Sequence, residues 1–565
     1  MTVAVPPLPP LTAPDTLRLL PLGGLGEIGL NMLALECNGA ILLIDCGLMF
    51  PDAAMLGIDL VLPDISALDG RSSDIVGLIL THGHEDHIGA IPFLLKRLGY
   101  PPIYGTPLTL GLLEGKLVEH ELDRRADLRP LTPRQAVPLG PFVVEPFRVT
   151  HSIVDGVGFA ISTPAGLVIH TGDFKLDPTP VDGRTTDLAR LAAHGETGVL
   201  LLLSDSTNVE RPGHTLSERT VGDAFHQIFP DCPGWIVVAT FSSSIHRIQQ
   251  VVDAAVAVGR KIHVNGRSMV TNIAIARQLG YLTIPDAALI GLRELHDLPR
   301  GEALILSTGS QGEALSALSR IAMDDHKQIR LEAEDTVILS SKFIPGNEKT
   351  IADLINHLYR RGAAVFYETT SEIHVSGHAG AGELALMLEL TRPRYFVPIH
   401  GEYRHLVKHA ELARTMGVRP EYAVVLENGQ PLLLSANGLS REETVVCGRV
   451  FVDGKGVGDV GLMELRDRSH LANHGMVVVL LAINQQSGAI VYGPELLSRG
   501  FVPEEGSGDY LALARQVVCA TLAEHSLAAL ADWEELRIEV RKALRRFFNR
   551  TIERRPVILP IIMEL

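Results

Sequence analysis

The chain has 565 residues, 46% hydrophobic and 21% charged, and carries a formal net charge of −16. This is ordinary globular composition that can bury large cores, with roughly three or four domains expected from the length. No run of about 18 uncharged apolar residues is present to span a bilayer, and the acidic balance argues against a module that merely coats nucleic acid, while an enzyme can still meet phosphate through bound divalent metals or local basic patches.

Residues 1–17 lack the basic start and continuous apolar stretch of a signal peptide and read as a Pro-rich disordered tail. From there to about residue 204 short apolar runs alternate with Gly, Pro and Asp turns. Strands are expected at 41–46 (ILLIDC), 76–81 (VGLILT), 143–149, 167–171 (LVIHT) and 199–204 (VLLLLS), with a helix over 88–98. Runs this apolar suit strands buried on both faces of a layered α/β unit. GGLGEIG at 23–29 lacks the GxGxxG spacing of a dinucleotide loop and reads as a strand-turn.

A second α/β unit is expected over 214–360. Thr215-Leu216-Ser217-Glu218 has the form of a helix capping box. Strand 235–240 (WIVVAT), helix 244–258, strand 261–264, a helix near 269–279 and strands 303–307 and 336–340 follow. Residues 364–368 and 395–400 (YFVPIH) return to the pattern of the first unit. In the last hundred residues, strands 476–483 and 489–492 flank a hairpin signal at Gln485-Gln486-Ser487-Gly488. Helices near 508–525 and 532–549 and a strand at 556–564 complete the chain. Basic residues dominate 537–550, either as a solvated helix face or as a contact surface for nucleic acid or a subunit. Cys37, Cys46, Cys232, Cys447 and Cys519 are scattered, odd in number and without a CxxC pair. They argue against a disulfide framework and a Cys-type zinc site, and fit a reducing cytoplasm.

The chemistry concentrates in His82-Gly83-His84-Glu85-Asp86-His87, just after an apolar strand. Imidazole and carboxylate are ligands for zinc, manganese or iron. Gly83 lets the backbone bend there. A histidine-rich surface loop without metal would not need this spacing. Asp45, His151, Asp173, Asp205 and His400 each follow an expected strand, and ligands of α/β sheets gather at the carboxyl ends of strands. Any one of them alone would read as a turn residue. Together with the histidine run they make a site large enough for two ions. Two ions roughly 3.5–4 Å apart can lower the pKa of a shared water, giving hydroxide at neutral pH, and offset charge on phosphoryl oxygens.

HGHEDH matches the HxHxDH signature of the metallo-β-lactamase superfamily. The chain further resembles its β-CASP nucleases, and within them the ribonuclease J family. The resemblance rests on GGLGEIGLNM (23–32), LIDCGLMFP (43–51), THGHEDHIGAIPFLL (81–95), TGDFK (171–175), SDSTN (204–208), FSSSIHR (241–247), STGSQGE (307–313), IPGNE (344–348), HVSGHA (374–379) and PIHGEYRHL (398–406). It implies an αββα metallo-β-lactamase core (18–213 and 378–445), an inserted β-CASP α/β domain (214–377), a linker (446–465) and a small C-terminal α/β domain (466–565).

The resemblance also implies roles. His82, His84, His151 and Asp173 would hold one zinc. Asp86, His87, Asp173 and His400 would hold the second, with manganese or magnesium as alternatives. Asp45 would support the cluster, and Asp205, His378 and Asp86 would serve catalysis. Ser243, Arg267, His374, Ser376 and His378 would meet RNA and its 5′-phosphate. A histidine at position 400 favours RNA over DNA. The implied enzyme is a zinc-dependent ribonuclease of rRNA processing and mRNA decay, a cytoplasmic phosphodiester hydrolase. It would act as a 5′-to-3′ exonuclease preferring 5′-monophosphate ends, with endonuclease activity. It would form a homodimer or homotetramer through the C-terminal domain and meet RNA-decay partner proteins, with no membrane involvement. The competing readings are a small-molecule thioester, lactone or β-lactam metallohydrolase, a DNA nuclease, and a non-catalytic RNA-binding scaffold.

Overall fold

The computed structural model describes all residues except 1–7, 53, 312–315, 343–346, 369–370, 485–486, 488, 502–506, 525–532 and 565. The chain divides into two compact units, the first formed by residues 1–50 and 60–450, the second by 51–59 and 451–565.

In the first unit two sheets face each other. One has eight strands, ordered Gly438–Arg441, Leu432–Ser435, Leu17–Gly23, Met32–Cys37, Ala40–Ile44, Ile75–Ile79, Ile103–Gly105 and Leu128–Pro130. The other has six, ordered Tyr395–Ile399, Leu201–Asp205, Gly166–His170, Val157–Thr163, Phe142–Arg148 and Val137–Leu139. Leu35, Leu42 and Ile79 of the first pack with Phe142, Phe159 and Val397 of the second in one buried cluster. The far face of the six-stranded sheet packs on helices Leu188–Thr197, Ala381–Thr391 and Tyr403–Thr415 through Leu191, Leu384 and Ala410. Apolar side chains on both faces explain why these strands read as unbroken hydrophobic runs.

Between the adjacent strands Leu201–Asp205 and Tyr395–Ile399 the chain leaves to build a separate five-stranded sheet. Its order is Lys261–Asn265, Ala303–Ser307, Ile236–Ala239, Thr336–Leu339 and Ala364–Phe366, all parallel. This is the layout that the resemblance implies, a layered core interrupted by an inserted parallel sheet. One buried carboxylate pins the chain on both sides of the excursion: Glu383 accepts N–H groups from Leu176 at 2.6 Å, Thr215 at 2.7 Å and Gly380 at 2.7 Å.

Three expectations fail locally. Of the expected disordered tail, residues 8–17 lie against the core: Leu8 and Leu11 are buried, the Leu8 N–H donates to the Ala67 carbonyl at 3.2 Å and the Leu11 N–H to Glu36 at 2.6 Å, and Leu17 begins a strand. The helix expected over 88–98 is two short ones, Glu85–Ile88 and Ile91–Leu94, with Gly89 and Ala90 between them and Pro92 early in the second, where proline cannot continue an uninterrupted helix. The capping box at 215–218 does not form, and the helix there begins at Arg219. Glu218 is instead committed to buried Arg247, at 2.8 and 2.9 Å, and the Thr215 hydroxyl donates to the His378 carbonyl at 2.7 Å. An ion pair this buried holds its members tightly, since removing one partner strands a charge at a cost of about 3–5 kcal/mol.

In the second unit strands Ile490–Arg499, Met476–Ile483 and Val557–Glu564 form one sheet, with Met476–Ile483 central. The outer two strands run antiparallel and parallel to it respectively. Of the expected hairpin turn, Gln485, Gln486 and Gly488 lie outside the described residues. Helix Trp533–Ile552 buries Leu536, Val540, Leu544 and Phe548, one side chain per turn. The intervening Arg541, Arg545, Arg546 and Arg550 are exposed. Residues 446–465 hold a short hairpin, Arg449–Asp453 with Gly456–Val457, and the start of helix Leu462–His474.

Candidate metal centre

The chain at or just past the carboxyl ends of six core strands delivers side chains to one point. Asp45 follows Ala40–Ile44 with φ +58°. Its Oδ1 accepts the Thr81 N–H at 2.8 Å, and its Oδ2 accepts the Thr81 hydroxyl and pairs with His87 Nδ1, both at 2.8 Å. Asp45 therefore shapes the histidine loop from behind. His400, also at positive φ (+53°), arrives because Tyr395–Ile399 pairs in parallel with Leu201–Asp205, Asp205 facing Ile399.

Two groups of the expected ligands result, and His378 adds two further overlapping groups, with His151 and Asp173 and with Asp205 and His400. His82, His84 and His151 form one. His82 Nε2 lies 2.9 Å and His151 Nε2 3.3 Å from His84 Nδ1. Asp86, His87, Asp173 and His400 form the other. Asp173 Oδ2 lies 3.3 Å from His87 Nε2 and 3.4 Å from His400 Nε2. The same oxygen is 3.8 Å from both His82 Nε2 and His151 Nε2, so it faces both groups. Ligands 2.0–2.2 Å from a tetrahedral ion sit about 3.3–3.6 Å apart; the His151–His84, Asp173–His87 and Asp173–His400 separations match that edge, while His82–His84 at 2.9 Å is shorter and Asp173 to His82 and His151 at 3.8 Å longer. The remote ring nitrogens are engaged elsewhere. Nδ1 of His151 meets the Gly377 carbonyl at 2.8 Å and that of His400 the Thr207 hydroxyl at 2.7 Å. His82 Nδ1 lies 3.0 Å from the Thr81 hydroxyl. Such bonds set the tautomer that turns the Nε2 lone pair inward, as metal-bound histidines require. Gly377 permits the His151 contact, because a Cβ there would come within 2.6 Å of the imidazole.

The electrostatics differ between the groups. Burial drives His84 down to about 4 and holds His82 and His151 well below the usual imidazole range. Burial acts against protonation of His400 as well, but the charges of Asp173, Asp86 and Asp205 raise it to about 9. His87 is raised in the same way, chiefly by Asp173 against its own burial. Asp173 is buried, yet His400 and His87 hold it well below the usual carboxylate range. The donor set fits a divalent metal site, with one Asp173 oxygen facing both groups of donors.

The comparisons with known proteins agree. Residues 29–205 match the model of the metallo-beta-lactamase superfamily, 233–358 the ribonuclease J beta-CASP domain, 368–423 the Zn-dependent metallo-hydrolase RNA specificity domain, and 463–565 the ribonuclease J C-terminal domain. Ribonuclease J 1 of Streptococcus pyogenes is 42% identical over 97% of this chain and 98% of its own length. Ribonuclease J of Thermus thermophilus is 42% identical over 97% and 96%, and ribonuclease J2 of Bacillus subtilis 38% identical over 98% and 99%. The chain belongs to the ribonuclease J family. A crystal structure of an Enterococcus faecalis protein of unknown function, 16% identical, superposes with a TM-score of 0.53 over 74% of this chain and all (100%) of that one, a likeness of fold alone.

Beside these donor groups lies the pair Asp205 and His378. His378 Nδ1 is 2.8 Å from Asp205 Oδ2. Its ring is centred 4.9 Å from that of His151 and 5.3 Å from that of His400. Burial would lift the Asp205 carboxyl, but the His378 imidazole more than offsets it, leaving the group below its ordinary value.

The residues expected at the 5′-phosphate are placed unevenly. Ser376 and His378 adjoin the site, and Asn208 Nδ2 donates to the Ser376 hydroxyl at 2.7 Å and to the His378 carbonyl at 3.0 Å. His374 Nδ1 is 2.8 Å from Arg247 Nη1. Ser243 is half-buried just before helix Ile245–Ala257, and Arg267 is exposed at the start of helix Arg267–Gln278. Among the described residues no hydrogen bond, ion pair or ring contact joins either side chain to the histidine cluster.

Reading the sequence by residue type missed Asn31, Thr81 and Thr207. Asn31 Nδ2 donates to the Asp86 carbonyl at 3.0 Å and lies 3.2 Å from His87 Nε2. Asn31 and Thr207 fall inside segments already singled out, GGLGEIGLNM and SDSTN, and Thr81 opens THGHEDH. The position was the only available signal, because neutral Asn and Thr carry no metal-ligand signature of their own.

Proposed function

We propose that this metal-dependent ribonuclease degrades and matures RNA from the 5′ end, preferring 5′-monophosphate termini, with endonuclease cleavage as a second mode. The observation that carries this reading is the Asp205–His378 pair set against both metal seats, an arrangement suited to protonating a leaving group. His82, His84, His151 and Asp173 would hold one zinc ion and Asp86, His87, Asp173 and His400 the other. When bound, the ions supply Lewis-acid polarisation and charge neutralisation for phosphodiester hydrolysis.

The chain's own groups divide the remaining work. Asp45 holds His87 by its Nδ1 and fixes the ring. Asp205, kept ionised, orients His378 through Nδ1, and the imidazole passes a proton to the departing 3′ oxygen. Asp86 holds its seat on the substrate side. His374, Ser376 and the helix start at Ser243 receive the 5′-phosphate, and Arg267 meets the RNA backbone.

The inserted sheet and the split core support domain limits of 18–213 and 378–445 for the core, 214–377 for the β-CASP part and 466–565 for the C-terminal part. Leu497, Val478 and Leu559 stand in one row across the C-terminal sheet. Leu497 is 50% and Leu559 43% exposed. An apolar row of this kind supports association into a homodimer or homotetramer through that domain. All five cysteines are free, which supports action in a reducing cytoplasm. Among the described residues no helix is long and apolar enough to cross a membrane.

The test incubates the protein with 5′-monophosphorylated RNA, matched DNA and a chromogenic lactam, each with and without chelator. Chelator-sensitive release of mononucleotides from RNA alone is expected. Metal-loaded protein that leaves RNA uncut would end this reading.

A further inference from the structure

We infer that Tyr281, on the inserted domain, is a positioning residue for the three-histidine metal seat, acting through Asp155. The inference deepens the ribonuclease reading and rests on it for the role of that seat.

His151 opens the loop 151–156, which is closed by a hydrogen bond from Val149 N–H to the Gly156 carbonyl at 3.2 Å. Asp155 lies on this loop in the left-handed region, φ +68°, an uncommon conformation for a residue other than glycine. Its Oδ2 accepts two donors from different parts of the molecule. The Tyr281 hydroxyl donates at 2.7 Å, and the N–H of Leu108, in the first turn of helix Pro107–Glu119, at 3.3 Å. Burial and the neighbouring carboxylate push the Tyr281 hydroxyl upward, so it remains a donor. One carboxylate oxygen thus joins the inserted domain, the His151 loop and the start of a core helix.

That helix and that loop back the other two histidines. A Cβ built on Gly83, between His82 and His84, would meet Leu112 of the helix at 2.7 Å and Ile153 of the loop at 3.5 Å. The helix in turn lies close against the inserted domain, where a Cβ on Gly111 would meet Ile275 at 2.9 Å. A shift of the Tyr281 hydroxyl therefore bears on the backing of His82, His84 and His151 together. Thr207 and Asp45, which brace His400 and His87 of the other seat, lie outside this set of contacts. The coupling is physical because packed side chains without slack transmit displacement.

The experiment titrates zinc into the full-length protein against a competing chelator, with His84→Ala identifying the step that belongs to the three-histidine seat. Tyr281→Phe removes one oxygen and keeps the ring. It is expected to weaken that step about three- to tenfold, less than the roughly 10–100-fold typical when a direct support of a metal ligand is removed, to leave the other step unchanged, and to lower kcat on RNA more than it changes KM. Asp155→Ala should weaken the same step, and adding Tyr281→Phe to it should cost nothing further, since residues acting through one contact are not additive. Asp155→Asn, which keeps an oxygen for the hydroxyl, should restore most of the affinity. Unchanged zinc binding in Tyr281→Phe, equal weakening of both steps, or full additivity in the double variant would overturn the inference. Loss of RNA cleavage specificity with both zinc steps behaving as stated would instead count against the ribonuclease reading alone.

Discussion

The two metal seats are built from overlapping residues yet differ in kind. The three-histidine seat has no carboxylate of its own beyond the shared Asp173, and its imidazoles are held neutral by burial. The carboxylate seat carries Asp86 and Asp173, and in the metal-free protein His87 and His400 balance that charge by holding protons. The comparison teaches that one seat stands ready for an ion, whereas the other must exchange protons for it. The reason is local: buried carboxylates without a metal need another cation nearby, and imidazole is the one available.

Asp173→Ala should break the comparison most severely, because the oxygen that faces both groups of donors goes. RNA cleavage is expected to fall by more than about 100-fold, beyond what removing a supporting residue costs, with both zinc steps weakened; a zinc titration and a cleavage assay check this together. His378→Ala sharpens the comparison next. His151, Asp173 and His378 could also gather around an ion, so the variant separates a proton donor from a ligand. We expect kcat to fall roughly 10²–10⁴-fold, the range for general acid catalysis, with the metal content found by elemental analysis unchanged. Zinc loss would make His378 part of a third seat.

A smaller effect is expected from Thr207→Val, which removes the acceptor of the His400 Nδ1 proton. It should weaken the carboxylate seat by about tenfold and spare the three-histidine seat. The mildest test is pH. His400, raised to about 9, is protonated below that value in the metal-free protein and must lose its proton to bind. Affinity at the carboxylate seat should therefore climb as pH rises from 7 to 9. His84, lowered to about 4, is already neutral across that range, so the three-histidine seat should stay flat. Calorimetry in buffers of different ionisation enthalpy reads the released protons directly, and equal proton release at both seats would erase the distinction.

The same contrast governs what could be read in advance. HGHEDH was legible because its ligands lie within one turn of chain after an apolar strand. The pairing of distant residues was less so. Asp45 as a support, Asp173 as the shared ligand and His378 as the partner of Asp205 came from resemblance, and the structure brings each within contact of the groups expected. The capping box at 215–218 misled because a local pattern was overruled by Arg247, which claims Glu218 from another helix. Ser243 and Arg267 stand in segments that match the family, but among the described residues no hydrogen bond or ion pair joins their side chains to the histidine cluster.

By itself, then, the sequence determined which side chains were available to bind metal and the strands that end at them, since periodicity and residue chemistry act over a few positions. Only the tertiary structure decided that Asp205 and His400 become neighbours, that one Asp173 oxygen faces both seats, and that Asn31, Thr207 and Tyr281 bear on the site. The physical reason is that parallel pairing of Leu201–Asp205 with Tyr395–Ile399 closes the sheet across the whole inserted domain. Such a long-range contact is selected by the packing of the folded sheet, and no local pattern encodes it.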